Sequence, residues 1–591
     1  MDAYPNQGKE RILPAQIEQY IAEKTGSTVV LGLDKVLDPG DSLIGGSRIA
    51  GFMETHKRFE WYLPLTAQKA LIWKTYQVPK TDRDRVSFLI SAGFGNGSPL
   101  PQPAGQWDIF CNDRFAVSVR VVNHSQLWRG SECTFAFSAN RLEAAEPYQS
   151  LCLSSVLTQE AFATFGPALL TVPTSWLEPG QSAVIRVEAK AEAESTRWFH
   201  IATTSDILFR SDVYPAVDLL SRNGPQKVGK HNLYFGDIHT HSGQVMDEIE
   251  NRGCGMGSWE DNYLYAKGPG GLDFYALTDH ERQIPPDNPA KYFGLADKYN
   301  ENGRFVCLAA YEFTNHCYGH RDIYFRNMDA IVVGTNRKGL DPTMDPAICT
   351  TPQELWSKLE AHGVPFITVP HHSSATAHPC SWDFYNPKYD RLIEVYSTWG
   401  SSEYYGDFPR GVSDRYRTLT VRDALNRGWR AGLIASSDGH DGHPGNAQSP
   451  LVKHHHQFHF LGSGRAAVFA EELTREAVFD ALYARCCYGT TGPPIMLSFT
   501  LNEKPMGSEI PSLKRRKAPQ VKILCEGTNG IDHIRIVKNG NVCHTVPAHG
   551  EFSGTVEWED AEFDPDRSNY YYVRVVQVDR ESAWSSPIWI G

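Results

Sequence analysis

The first 226 residues carry short runs in which polar and apolar positions alternate. These runs lie at 85–91, 115–122, 133–138 and 182–189, and turn-forming residues separate them, as at 93–97. Successive side chains of a strand point to opposite faces of a sheet, so this alternation predicts half-buried strands. After a short helix predicted at 14–24, the sequence predicts an N-terminal β-sandwich domain over residues 1–226.

The pattern changes near residue 229. From there to residue 493, short apolar runs alternate with amphipathic stretches of helix length, such as 352–362. The apolar runs lie at 274–278, 306–311, 365–369, 392–396 and 431–436. Alternating strands and helices predict an α/β barrel, whose active site would lie at the C-terminal ends of its strands. We therefore expect a barrel domain over residues 227–493.

From residue 494 the period-two alternation returns, at 521–525, 534–538 and 570–578. The run Lys538-Asn539-Gly540-Asn541 between two of these strands is a hairpin signal, because Asn-Gly suits the tight turns that join antiparallel strands. The sequence predicts a second, C-terminal β-sandwich domain over residues 494–591.

Composition narrows the function classes. A chain of 591 residues exceeds the size of one hydrophobic core, which predicts two or three domains. Its net charge of −12 argues against a nucleic-acid partner. The 12 cysteines form no CxxC pair, which argues against a cysteine-type zinc site. Lacking an apolar run of about 18 residues, the chain is predicted not to span a membrane. We expect a cytoplasmic protein, or a secreted or periplasmic one if a signal peptide has been removed; the sequence leaves the oligomeric state open.

Metal-ligating residues stand at the ends of five predicted strands. His239 and His241 are two residues apart, so both imidazoles point to one side of a strand and can face one ion. Such a pair arises easily by chance in a chain with 22 histidines. The other strand ends carry Asp279-His280, Glu312 followed by His320, His371-His372, and Asp438-Gly439-His440. Five coincidences at the same end of the strands predict a metal site.

This ordered set of residues resembles the PHP (polymerase and histidinol phosphatase) superfamily, most closely its large multidomain branch with flanking β domains. The resemblance covers roughly residues 230–493 and extends to 473–482, 488–492 and 583–589. It implies a distorted (βα)7 TIM-like barrel of the α/β class, flanked by N-terminal and C-terminal β-sandwich domains. It also implies a cluster of two or three divalent ions, which we expect to be zinc, with manganese and iron as alternatives.

Carried over position by position, the resemblance implies nine metal ligands. These are His239, His241, Asp247, His280, Glu312, His320, His371, Asp438 and His440. Two positions stay open, because Glu248 could replace Asp247 and His372 could replace His371.

Further residues are candidates because of their places next to the ligands. Asp237 and Asp279 could orient imidazoles from outside the ligand shell, or they could be solvated turn carboxylates. His372 or His443 could protonate a leaving group. Arg282 and Arg321 could clamp a phosphate, although surface arginines are the ordinary interpretation. The aromatic residues that could line the mouth of the site and bind a sugar, or simply pack, are Trp382, Trp399, Tyr404 and Tyr405. The glycine-rich stretch 253–257 and the histidine-rich stretch 453–459 are interpreted as loops.

The predicted function is that of a metal-dependent hydrolase in which metal-activated hydroxide attacks phosphorus. The expected partner is a small molecule or glycan bearing a phosphoester. The family resemblance permits a phosphodiesterase that removes a phosphocholine- or phosphoethanolamine-type head group from a sugar such as N-acetylglucosamine. Two alternatives are a metal-dependent amidohydrolase or deacetylase and a non-catalytic carbohydrate-binding protein.

Overall fold

The computed structural model describes most of the chain from residue 227 onward and part of the chain before it. The described residues are 28–31, 70–78, 80–96, 106–120, 126–137, 162–189, 198–202, 227–228, 231–246, 253–255, 257–268, 270–334, 350–374, 379–407, 417–440, 442–445, 464–511, 518–528, 530–577 and 581–591. The helix predicted at 14–24 and the histidine-rich stretch 453–459 lie outside these residues. The chain divides into two compact units, one of Met1–Gly224 with Thr528–Gly530 and Gly550–Phe552, and one of the remaining residues from Pro225.

The described part of the first unit consists of strands and one short 3-10 helix at Thr174–Trp176. The strands are β1 (Thr28–Leu31), β2 (Ala70–Gln77), β3 (Arg85–Asn96), β4 (Gln106–Cys111), β5 (Arg114–Arg120), β6 (Gln126–Arg129), β7 (Thr134–Phe137), β8 (Phe162–Pro173), β9 (Ser182–Ala189) and β10 (Trp198–Ala202). One sheet has the order β1-β3-β8-β7-β6 with β10 on β3, and a second has the order β2-β9-β4-β5. Both sheets contribute fully buried side chains, including Phe88 and Ile185.

The first described strands of the second unit include those that lead into the predicted ligands. They are β11 (Lys227–Val228), β12 (His231–Asp237), β13 (Phe274–Tyr275), β14 (Val306–Cys307), β15 (Ala309–Phe313), β16 (Arg321–Phe325), β17 (Phe366–Pro370), β18 (Leu392–Ser397), β19 (Gly400–Ser401), β20 (Gly432–Ala435), β21 (Arg465–Ala470) and β22 (Cys487–Thr490). The apolar runs singled out in the sequence coincide with β13, β14 and β15, β17, β18 and β20.

The described α-helices number five. They are α1 (Trp259–Lys267), α2 (Ala290–Tyr299), α3 (Pro352–His362), α4 (Val421–Asn426) and α5 (Arg475–Tyr483). Helix α3 shows why they form: Thr351 caps its first turn in a reciprocal capping box with Glu354, and Gly363 ends it at φ 87°. None of the described helices has the length and apolar character needed to cross a membrane.

The described structure is mainly β-sheet, and a closed (βα)7 barrel is not what it displays. Strands β12, β13 and β14 are parallel, and so are β18 and β20. Strand β16 instead runs antiparallel between β15 and β17. The expectation of uniform strand–helix alternation was therefore wrong in this part of the chain, because β15 and β16 are joined without a helix.

Both faces of these strands are buried. Alternate residues of β13, β14 and β15 belong to two different hydrophobic clusters: Phe274, Ala276, Val306, Leu308 and Ala310 face one, and Tyr275, Leu277, Cys307, Ala309 and Tyr311 face the other. The second cluster also includes side chains of α1, α2 and α3. We call the row that contains Leu308 and Ala310 the inner row, because the same alternation continues into the predicted ligands, starting with Glu312.

The regular elements described after residue 493 are all strands. They are β23 (Met496–Leu501), β24 (Lys504–Pro505), β25 (Glu509–Ile510), β26 (Gln520–Glu526), β27 (Ile531–Lys538), β28 (Asn541–Pro547), β29 (Ser553–Glu559), β30 (Asn569–Gln577), β31 (Ser582–Ser585) and β32 (Ile588–Ile590). Asn539 and Gly540, at φ 50° and 78°, make the tight turn between β27 and β28. Strand β22 pairs with β31, so a single 12-stranded sheet continues across the predicted boundary at residue 493.

Candidate metal centre

The strand ends named in the sequence analysis lie side by side. The backbone N–H of His241 donates to the carbonyl of Gly439 at 2.9 Å, and that of Asp438 donates to His239 at 2.8 Å. On the other side, the N–H of Thr278 donates to the carbonyl of Thr240 at 3.0 Å. The N–H of Glu312 in turn donates to the carbonyl of Asp279 at 3.1 Å. The first and last motifs of the set are thus direct neighbours.

Glu312 stands among four imidazoles. Its Oε2 lies 2.8 Å from His280 Nδ1 and 3.3 Å from His241 Nε2. Its Oε1 lies 2.5 Å from His320 Nδ1 and 3.4 Å from His371 Nε2. Each carboxylate oxygen therefore faces a different pair of histidines, and all five side chains are buried.

Asp438 brings the two ends of the motif set together. Its Oδ1 lies 3.4 Å from His239 Nε2 and 3.2 Å from His241 Nε2. The His440 ring stacks on His241 with ring centroids 4.4 Å apart, and its Nδ1 lies 2.8 Å from the carbonyl of Asp438. Asp438 has φ 49°, and His372 has φ 32°, a left-handed backbone that is uncommon outside glycine and concentrates at functional sites.

Two carboxylates that the sequence analysis did not assign hold the imidazoles from behind. Glu394 Oε2 lies 2.9 Å from His239 Nδ1, and Asp322 Oδ2 lies 3.4 Å from the Nδ1 atoms of both His239 and His371. A carboxylate on Nδ1 fixes the ring so that Nε2 points the other way, here toward Asp438 and Glu312. This is the arrangement in which outer carboxylates orient metal-binding histidines.

The donors form four overlapping groups that are compatible with metal binding. Within each group the ligand atoms lie no more than 4.8 Å apart: His239, His241 and Asp438; His239, Asp322 and His371; His320, His371 and His372; and His241, Cys254 and His280. Because the groups share members, they form one continuous cluster. The cysteine in the last group is a donor that the sequence analysis assigned to a flexible loop.

Burial and close packing shift the ionisation of these groups strongly. Burial opposes the charge of Glu312, but the His280 and His320 imidazoles hold the pKa of its carboxyl well below the usual range. Burial, with His371 beside it, lowers the pKa of His372 to about 3. Burial also raises the pKa of Glu394 well above its ordinary value. The cluster is thus a space of low dielectric in which each charge depends on its neighbours.

The donor set fits divalent ions. Imidazole and carboxylate are the ligands that zinc, manganese and iron accept. Several of the contacts are longer than good hydrogen bonds, such as the 3.4 Å between His371 Nε2 and Glu312 Oε1. Among the described residues, neither ring nitrogen of His371 makes a hydrogen bond of good geometry, although the side chain is fully buried. Ligand atoms that point to one place without forming good hydrogen bonds to each other are available to bind a metal ion.

Part of the chain matches a family of unknown function. The family model described as "Protein of unknown function (DUF3604)" matches residues 279–380 and 446–501, a range that includes His280, Glu312, His320 and His371. Uncharacterized proteins of Chlamydia pneumoniae and Chlamydia muridarum are 28% and 27% identical over 383 and 381 residues. Each alignment covers 61% of this chain and 57% of the relative, so the chain matches a little over half of each relative's length.

Two solved structures show a weak likeness. One is a two-domain protein from Bacteroides vulgatus that contains a predicted PHP-like metal-dependent phosphoesterase, with 13% identity, a TM-score of 0.30, and coverage of 62% of this chain and 98% of that one. The other is PsfC from Pseudomonas syringae, with 14% identity, a TM-score of 0.24, and coverage of 40% and 82%. Both scores lie well below 0.5, so the chemistry of the site follows here from its own side chains.

Six of the nine predicted ligands belong to the donor groups, and two more, Glu312 and His440, contact members of those groups. The ninth, Asp247, and its alternative Glu248 lie outside the described residues. The choice between His371 and His372 stays open, because both belong to one donor group. One histidine that was not predicted as a ligand lies beside the cluster: the Nδ1 atom of His316 is 3.5 Å from His320 Nε2.

Asp237 and Asp279 accept hydrogen bonds from backbone N–H groups and a serine hydroxyl instead of from imidazoles. Asp279 accepts hydrogen bonds from the N–H and hydroxyl of Ser242 at 2.7 and 2.6 Å. Asp237 accepts from the N–H groups of Ser437 and Gly445 at 2.9 and 2.8 Å. They therefore brace the turns that carry the histidines, whereas Glu394 is hydrogen-bonded to the His239 ring itself.

Arg321 cannot clamp a phosphate in this structure. It is fully buried, and its guanidinium lies 3.7 Å from Asp390 and close to the carbonyls of Tyr318 and Phe384. The reason is strand alternation. Asp322 lies opposite Glu312 in the ladder between β15 and β16 and shares its face, so Arg321, the adjacent residue, points to the opposite face. Arg282 is exposed beside His280.

Of the other predicted site residues, Trp399 lies beside the cluster, and the rest contact residues outside it. The Trp399 ring lies 5.5 Å from His372, while His443 packs edge-on against Tyr265 with ring centroids 4.8 Å apart. Trp382 is buried, donates to the carbonyl of Thr420 and packs on Trp429, which corrects its assignment to the mouth of the site. Tyr404 and Tyr405 lie beneath Arg422 and Arg417.

The missed residues carried weak signals. Glu394 is a charged residue inside the apolar run 392–396, and Asp322 follows His320 by two residues, so both could have been identified as facing the same side as a ligand. Cys254 carried no such signal, because its place beside His241 depends on how a loop folds back.

Proposed function

We propose that this chain is a metal-dependent phosphoesterase of the PHP type, and more specifically a phosphodiesterase. The observation that carries the proposal is Glu312, whose two oxygens face different pairs of histidines 2.5–3.4 Å away. A carboxylate in that position is suited to bridging two ions. We include in the proposal that the ligand-bearing strands form the distorted barrel of PHP enzymes, with the antiparallel β16 as a local departure.

In this proposal the residues have three roles, which are to bind the ions, to orient the imidazole rings and to hold the turns rigid. His239, His241 and Asp438 would hold one ion, Glu312 would be shared, and the remaining histidines would hold the others. Closely spaced divalent ions lower the pKa of water and neutralise the charge of a phosphoryl group. Glu394 and Asp322 keep the rings aimed inward, and Asp237 and Asp279 keep the turns rigid, so little reorganisation is needed when a substrate arrives.

The substrate side of the proposal rests on two residues. Arg282 is exposed two positions after His280, where a guanidinium could bind an anionic oxygen. Trp399 places an aromatic ring beside His372, which suits the apolar face of a sugar. We therefore keep a sugar bearing a phosphodiester-linked head group, such as N-acetylglucosamine with phosphocholine or phosphoethanolamine, as the proposed substrate class.

The test couples metal analysis to a substrate panel. Metal-replete protein would be assayed on phosphodiesters, phosphomonoesters and acetamido sugars, and we expect the phosphodiesters to be turned over fastest. Turnover of amides without any phosphoester would overturn the proposal in favour of an amidohydrolase. No turnover by protein that holds its metals would favour the non-catalytic carbohydrate-binding alternative.

Variants test the site itself. Glu312→Gln should lose both bound metal and activity, because an amide is a poor bridging ligand. The matched control is Asp560→Asn, an equally buried acid that contacts Lys538 and Tyr571 instead of imidazoles. If Glu312→Gln kept its metal content and its rate, the proposed centre would be refuted.

A further inference from the structure

We propose that the Sγ atom of Cys254 is a ligand of the metal cluster, acting with His241 and His280. The inference rests on the metal centre of the proposed function and adds to it a thiolate, which none of the sequence motifs contains. Of the ten described cysteines, Cys254 is the one whose donor atom lies in a group with histidine nitrogens, all within 4.8 Å of one another.

The backbone holds the cysteine in this position through two short pairings. The N–H of Gly253 donates to the carbonyl of Gly243, and the N–H of Gly255 donates to Ser242, each at 2.9 Å. The loop therefore lies against the residues directly after His241, as an added strand would. A loop that served only as a flexible connection would not need both of these hydrogen bonds.

The flanking glycines are required for this close approach. A Cβ on Gly255 would lie 2.1 Å from the carbonyl oxygen of His241, and one on Gly253 would lie 2.6 Å from both the carbonyl oxygen of Ser242 and the Gln283 amide nitrogen. Each distance is too short for any side chain, so the sequence Gly-Cys-Gly lets the backbone press onto the ligand strand. The only side chain that this tripeptide offers is the thiol.

The thiol is also oriented. Its Sγ lies 3.3 Å from Gln283 Oε1, and the Gln283 amide donates to the carbonyl of Gln244 at 3.0 Å. The ring centroids of His241 and His280 are 4.7 Å apart and the rings are stacked, so both imidazoles present their edges to the same space. A neutral thiol gains little from two imidazoles, whereas thiolate sulfur and imidazole nitrogen are both donors that zinc accepts.

The proposal narrows the identity of the ion. Thiolate selects zinc and other thiophilic metals, whereas manganese and magnesium prefer oxygen donors. We therefore expect the ion beside Cys254 to be zinc.

The experiment is cobalt substitution of the full chain. Protein stripped by a chelator is titrated with Co²⁺, the bound equivalents are counted by metal analysis, and the near-ultraviolet spectrum is searched for thiolate-to-cobalt charge transfer. We expect the band in the natural chain, its loss in Cys254→Ser, and its retention in Cys486→Ser, a control that changes another half-buried cysteine. Cobalt affinity of Cys254→Ser should fall by more than the roughly 10–100-fold that loss of an outer-shell partner costs.

A second variant guards against a loop that no longer folds. Cys254→His keeps a nitrogen ligand, so it should bind cobalt with the original stoichiometry but without the charge-transfer band. If the natural chain binds cobalt and shows no such band, the thiolate ligand is refuted and the metal centre stands. If the natural chain binds no cobalt, zinc or manganese, the metal centre fails, and this inference fails with it.

Discussion

Replacing Glu403 by glutamine should destabilise the chain more than any exposed charge change. Glu403 is fully buried, and four donors converge on its carboxylate: Arg422 at 2.6 Å, Tyr572 at 2.6 Å, Trp584 at 2.7 Å and Arg574 at 2.8 Å. It follows β19, whereas three of its partners lie in the C-terminal strands. Glutamine would remove the charge and turn an N–H₂ group toward donors.

The size of the effect can be worked out in two ways. Breaking a buried ion pair by removing one partner costs about 3–5 kcal/mol. Burial opposes the charge of Glu403, but Arg574 and Arg422 lower the pKa of its carboxyl from 4.5 to about 2. At about 1.4 kcal/mol for each tenfold change in the acid constant, that difference is worth about 3 kcal/mol. Both routes predict a loss of about 3–5 kcal/mol in the free energy of unfolding.

The assay is urea unfolding at neutral and acid pH. Because the folded pKa of Glu403 is depressed, its contribution is present above pH 4.5 and is lost as the pH falls toward 2. The natural chain and Glu403→Gln should therefore differ at pH 7 and converge in acid. Glu557→Gln is the control, since its exposed pair with Lys522 is worth about 0–1 kcal/mol. A Glu403→Gln variant as stable as this control at pH 7 would refute the reasoning.

Three further outcomes concern the metal centre. Glu394→Gln should weaken metal binding by about 10–100-fold in a competition with a chelator, because the ring of His239 loses its carboxylate; an unchanged affinity would contradict that role. Gly255→Ala should reduce metal affinity by forcing the loop away from His241, whereas Gly294→Ala, whose Cβ meets nothing within 4 Å, should leave it unchanged and stabilise its helix by about 0.5–1 kcal/mol. Removal of the metals should lower the unfolding midpoint, since only the folded chain assembles the cluster, and calorimetry that found equal midpoints with and without chelator would argue against bound metal.

The sequence predicted which candidate ligands lie together where they follow a strand directly. His239 and His241 share a side because of the two-residue period, and Glu312 continues the row of Leu308 and Ala310. The same period explains the error at Arg321, which is next to a ligand in sequence and on the other face in space. Adjacent residues of a strand point to opposite faces, so a residue next to a ligand in the sequence need not lie near it in the structure.

What the sequence could not supply depends on pairing between distant segments. The antiparallel place of β16 between β15 and β17, the contact of Glu394 with His239, and the approach of the Cys254 loop all arise from non-local contacts. No local pattern specifies which distant strand a segment will join. The same holds for the two predicted flanking β domains, since alternation of polar and apolar residues predicts a strand but not the strand with which it pairs.

The ladder between β22 and β31 limits how the chain can be divided. Thr490 lies opposite Ala583 and Tyr488 lies opposite Ser585, so the last strand of the ligand-bearing segment is completed by the final ten residues. A protein ended at residue 493 would expose the edge of β22 together with the apolar surface that Trp584 covers. An open edge of this kind recruits other chains, so such a fragment should aggregate, and expression of the segment with the candidate ligands requires the C-terminal strands.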